Sequence, residues 1–125
     1  MSGINTPQQI AYQGQYSIVT RAFNFTNFGQ VIAGGTLSSP EIFYTPFDST
    51  LNIEGTTINS DIFYDYEGGG SIQPGKGVIA QFSGGTPGTT YTLYCRVQVS
   101  PVDGLSEGDT VEIQSQLQII TSSSL

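Results

Sequence analysis

One stretch constrains the fold more than any other, residues 78–99, reading VIAQFSGGTPGTTYTLYCRVQV. Its second half alternates without a fault. Tyr91, Leu93, Cys95, Val97 and Val99 fall on one face, and Thr90, Thr92, Tyr94, Arg96 and Gln98 on the other. A period of two over ten residues is a strand with one buried face. In its first half Val78, Ala80 and Phe82 alternate with Ile79 and Gln81. Between the halves, Ser83, Gly84, Gly85, Thr86, Pro87 and Gly88 break the strand, because glycine supplies positive φ and proline removes a donor. Tyr91 stands just past this break. That is where sandwiches place a tyrosine whose hydroxyl bonds back to the corner; otherwise it is an ordinary large strand residue. Gly84, Gly85, Gly88 and Tyr91 are architectural on either reading.

The rest of the chain reads as strands separated by turns. Residues 1–15, MSGINTPQQIAYQGQ, are polar and read as an extended N-terminal arm, either anchored by Ile10 and Tyr12 on the sheet edge of a neighbouring subunit or a loose terminus. Residues 16–27 are a strand with a kink or sheet crossover expected at Arg21. Residues 36–44 follow, with Pro40 forcing an edge or a bulge. Residues 50–53 are a short strand closed by a Glu54-Gly55 turn. Residues 56–66 are β-rich, with Asn59, Ser60 and Asp61 able to split them. The last strand covers residues 110–121, and residues 122–125 are a polar tail. About seven antiparallel strands, a turn signal roughly every dozen residues and no long helical period predict an all-β chain. An immunoglobulin-like β-sandwich over residues 16–121 fits best, ahead of a jelly roll.

Charge narrows the partners. Charged residues make up 10% of the chain, well under the roughly 25% of an average protein. The net charge is −7, with Arg21, Lys76 and Arg96 the only basic residues. Three scattered cations make no phosphate-neutralising stripe, which argues against nucleic acid and against anionic membrane surfaces. No apolar run reaches a membrane span, and the first residues lack the pattern of a signal peptide. The polar surface, built of Ser, Thr, Gln and Asn, suits a subunit packed among other subunits, and it suits many secreted β proteins as well.

Chemistry finds little support. Histidine is absent, which removes Ser-His-Asp and Cys-His catalysis. Lys76 lies in a turn with no nucleophile motif, and the glycine runs are not a P-loop. Asp61, Asp65 and Glu67 could supply paired carboxylates for glycoside cleavage, but they read better as a solvated strand edge. Asp103, Glu107 and Asp109 share one acidic loop that could take calcium and is otherwise solvated. Cys95 is the single cysteine, expected buried and inert. The expectation is therefore no enzyme, no cofactor and no metal. In the pairs Phe43-Tyr44 and Phe63-Tyr64 one ring of each must point away from the core, so Phe43 and Phe63 join Ile10 and Tyr12 as expected assembly contacts.

The run SGGTPGTTYTLYCRV, residues 83–97, resembles the SGGT-x-G-x-x-Y-T-V-x-x-R-V segment of fibre-tail adaptor proteins of tailed bacteriophages. Leu93 stands where that family usually has valine, and Cys95 where a polar residue is common. Residues 22–42, AFNFTNFGQVIAGGTLSSPEI, resemble the family's aromatic opening, with Phe23, Phe25 and Phe28 at aromatic positions and both tryptophans absent. The resemblance implies a single Ig-like module of the virion, made in the host cytoplasm. It implies a place at the neck or tail, joining fibres or another component to the tail or connector ring in several symmetric copies. A capsid decoration protein and a host-glycan-binding sandwich, with Tyr64, Asp65 and Tyr66 as its platform, are the alternatives.

Overall fold

The computed structural model describes residues 10–65, 70–102 and 108–121. In chain order they form β1 (Ile10–Gly14), β2 (Ile18–Asn24), a single helical turn α1 (Gly29–Ile32), β3 (Leu37–Thr45), β4 (Leu51–Ile58), β5 (Phe63–Asp65), β6 (Gly70–Ile72), β7 (Gly77–Gly84), β8 (Thr90–Val99) and β9 (Asp109–Ile120). β8 holds the centre. Its five alternate residues Tyr91, Leu93, Cys95, Val97 and Val99 are buried, as their periodicity requires.

Two sheets pack face to face. One has the order β1-β9-β8-β3 and the other β2-β7-β4; β5 and β6 make a separate hairpin. Reading β2, β3, β4, β7, β8 and β9 as strands B, C, D, E, F and G gives the BED and CFG sheets of an immunoglobulin-like sandwich. β1 is the first strand, carried on the CFG side and running parallel to β9. The core joins both sheets: Phe23, Val78, Ala80, Phe82 and Leu51 from one meet Tyr91, Leu93, Cys95, Val97, Leu117 and Ile119 from the other. Phe25 and Val31 close one end, and α1 exists chiefly to bury Val31.

The two packed sheets hold seven strands, but not the seven expected. Ile10–Gly14 is not a free arm. It is a strand of the chain's own sheet, with Ile10 opposite Gln116 and Gly14 opposite Ile120. Its inward residue Gln13 is buried and explains the capture. The Gln13 Nε2 donates to the Phe82 carbonyl at 2.7 Å and the Ser17 carbonyl at 3.1 Å. The Gln13 Oε1 accepts from Arg21 Nε at 3.1 Å, and Arg21 Nη2 donates to the Tyr12 carbonyl at 3.3 Å. One buried amide thus ties the edge of the first sheet to the second. Residues 1–9 and 122–125 of the expected arm and tail lie outside the described residues.

Arg21 does not kink its strand: β2 pairs in register with β7 from Ile18 to Asn24, and the sheet switch falls in the turn before it. Glu54-Gly55 is not a turn but a bulge inside β4, where the register with β7 shifts and Gly55 takes φ +71°. The Pro40 expectation holds twice, since β3 is an edge strand and its register shifts between Ser38 and Glu41. Asn59 does split the β-rich segment that follows, separating β4 from β5.

Candidate functional site

The corner between β7 and β8 is built as a polar knot around Tyr91. Its ring is fully buried and meets Tyr44 edge-on at 6.0 Å between centroids. Its hydroxyl accepts the Thr86 backbone N–H at 2.9 Å and donates to Asp48 Oδ2, which completes the tyrosine corner. Asp48 comes from the loop between β3 and β4. Its Oδ1 accepts from Thr50 N at 2.9 Å and Thr50 Oγ1 at 2.6 Å, and its Oδ2 from Thr86 Oγ1 at 2.7 Å. The Tyr44 hydroxyl donates to the Asp48 carbonyl at 2.8 Å. Two loops and the start of β8 thus converge on one carboxylate. Gly84, Gly85 and Gly88, at φ +76°, +90° and +87°, supply the backbone path that makes the corner.

Hydrogen bonds from Thr50, then Thr86 and Tyr91, hold the Asp48 carboxyl well below the usual carboxylate range. Burial, then the Asp48 carboxylate, raises Tyr91 above its ordinary value. With its folded value depressed, Asp48 adds stability that is complete above its ordinary value of 3.8. That contribution is lost as pH falls through the folded value, because the unfolded chain takes up the proton first. Thermal melts should therefore show Asp48→Asn less stable than the parent at pH 7. The gap between them should narrow as pH drops from about 5 to about 2.

The knot is architectural, and the surface available for binding lies elsewhere. The outer face of the β1-β9-β8-β3 sheet is laid out in cross-strand rows. Thr90, Gln118 and Tyr12 form one, and Thr45, Thr92, Gln116 and Ile10 the next. Phe43, Tyr94 and Gln114 follow, then Glu41, Arg96 and Glu112. Only the last row is charged. There Arg96 bonds Glu112 at 3.0 Å and lies 4.9 Å from the centroid of the Phe43 ring. That ion pair is exposed on both sides and contributes little to stability.

Three of the four expected contact residues share this face. Tyr12 is 57% and Phe43 42% exposed, while Ile10 is half-buried at the strand's start. Phe63 is not among them. It sits half-buried on the β5–β6 hairpin, and its neighbour Tyr64, 58% exposed, is the outward ring of that pair. Tyr66 and Glu67 lie outside the described residues, as do Asp103 and Glu107, so the glycan platform and the acidic loop are described only in part. Sequence reasoning missed Gln13, Asp48 and Asn59. Each combines a near partner with one remote in the chain, Phe82 for Gln13, Thr86 and Tyr91 for Asp48 and Gly77 for Asn59, and the remote one is what sequence does not show.

Cys95 is fully buried beneath this face. Burial, and then the Glu112 charge, pushes its thiol up to about 12. A thiol-specific disulfide reagent at pH 8 should leave the native protein unlabelled and label one group per chain once urea unfolds it.

The fold therefore defines an immunoglobulin-like sandwich with a tyrosine corner and an aromatic, amide-rich sheet face. No family model, no curated protein sequence and no solved structure matches this chain.

Proposed function

We propose that the chain is a non-enzymatic structural subunit of a tailed-phage virion. In this reading it is an adaptor at the neck or tail that joins fibres or another tail component to the tail or connector ring. One observation carries the reading: the segment resembling fibre-tail adaptors, residues 83–97, falls on the β7–β8 corner of an Ig-like sandwich. The outer sheet face supports it, since aromatic rings among neutral amides and hydroxyls are the composition of a protein-binding surface. Adaptor function on this reading needs no reacting group; it needs a rigid module, several copies and surfaces that neighbours cover.

Antibody raised against the protein and imaged by electron microscopy on intact particles tests this. Label confined to the neck or tail is expected. Label spread over the shell would replace the adaptor with a decoration protein, and particles free of label on both intact and opened virions would remove the virion assignment.

A further inference from the structure

The sandwich has an incomplete edge. β9 pairs with β8 from Asp109 through Gln118, but on its other side β1 covers only Gln116 to Ile120. Among the described residues, nothing pairs with the outer edge of residues 109–115. That edge is regular, as is the edge strand β2, whereas the edge strands β3 and β4 both carry bulges, a device that blunts strand addition. The backbone N–H of Gln15 donates to the Ile120 carbonyl at 3.0 Å. In a parallel ladder this turns the even-numbered groups of β9 toward β1. Thr110, Glu112 and Gln114 therefore present their N–H and C=O groups to the open edge.

The side chains tell the same story. Where β1 covers β9, Leu117 and Ile119 are fully buried; where it stops, Val111 and Ile113 are only half-buried. Among the described residues, the edge beside the apolar Val111 and Ile113 is left one strand short. The chain's own N-terminal residues fit it poorly, because in the register of β1 Pro7 would come opposite Ile113 and offers no N–H to the Glu112 carbonyl. A second copy fits poorly too. Antiparallel self-pairing centred on Glu112 would set the two Glu112 carboxylates opposite one another, and like charges so placed are destabilising. The nearest cation, Arg96, is already engaged by Glu112.

We propose that the edge of β9 at residues 109–115 receives an extended segment of a partner protein in which apolar residues alternate with basic ones. The apolar side chains cover Val111 and Ile113, the basic ones lie beside Glu112, and the backbone bonds Thr110, Glu112 and Gln114. This deepens the adaptor reading by naming its docking edge. Particle labelling tests location and peptide binding tests the edge, so each can fail alone.

The probe is a capped KVKVKVK peptide titrated into the full-length protein, with amide shifts and hydrogen exchange followed by NMR. Binding is expected to shift and protect the Thr110, Glu112 and Gln114 amides. Gln114→Pro, which removes an N–H directed to the open edge and fixes φ there, and Glu112→Lys, which reverses the charge, should each weaken binding by about tenfold or more. Melting curves confirm that both variants fold; if Gln114→Pro does not, Glu112→Lys decides alone. Equal binding of EVEVEVE, or full binding by a folded variant, would overturn the proposal. So would protection of the three amides without peptide, or binding only after residues 1–9 are deleted, since the edge would then already be occupied.

Discussion

Asn59→Ala is expected to lower the unfolding free energy by about 2–4 kcal/mol. The side chain is buried at the root of the β5–β6 hairpin and works through both ends of its amide. Its Nδ2 donates to the carbonyls of Asp61 at 2.9 Å and Gln73 at 3.0 Å, with Ile72 at 3.2 Å sharing a proton. Its Oδ1 accepts the buried Gly77 N–H at 3.0 Å, at the first residue of β7. Alanine strands the Ile72 carbonyl and the Gly77 N–H away from water, and each such loss costs on the order of 1–3 kcal/mol. Asn59→Asp should be worse at neutral pH and recover in acid, because a carboxylate oxygen would face carbonyls that need a donor. Ser60→Ala, at the exposed neighbour, is the control and should sit near the parent. Urea unfolding followed by far-UV circular dichroism measures all three, since the chain has no tryptophan.

Gly84→Ala should cost about 3–4 kcal/mol, through two effects that a second variant separates. At φ +76° any β-carbon is strained, and here it would also lie 2.1 Å from the Thr50 carbonyl oxygen. That oxygen already accepts the Gly85 N–H at 3.0 Å, so relieving the clash breaks the bond that joins the corner to the start of β4. Gly88 has a similar φ of +87° but open space around it. Gly88→Ala therefore reports the backbone strain alone, about 1–2 kcal/mol. The difference between the two melting temperatures isolates the clash. Equal losses at both positions would show that Thr50 yields freely and that the corner is less tightly held than its geometry indicates.

The corner and the central strand were legible because their physics is local. Alternation over ten residues needs one buried face, and the Gly and Pro of residues 84–88 leave the backbone few paths. That one ring of Phe43-Tyr44 points outward followed from the strand period, and the structure shows that it is Phe43. Ile10–Gly14 was not legible: five residues with a glutamine facing inward look like a polar arm until Phe82, sixty-nine positions away, supplies the carbonyl that bonds it. Asp48 and the buried role of Asn59 were hidden in the same way, because Thr86, Tyr91 and Gly77 are brought to them by the fold, although Thr50 and Asp61 lie close by in sequence. Phe63 and Tyr64 show the limit of period alone, since a three-residue strand gives too short a pattern to tell which ring faces out.

The parallel pairing of β1 and β9 decides how the molecule bears load. Tension applied at Ile10 and Ile120 pulls the two strands in opposite directions along their length. Their five residue pairs are then stretched together in shear rather than opened one by one. Forced rupture is governed by the barrier to unfolding, and shear raises that barrier because the bonds must fail in concert. A module strung by its ends between two parts of an assembly would hold at forces that would peel a terminal hairpin apart, with Gln13 and Arg21 as the clasp that must give way alongside them.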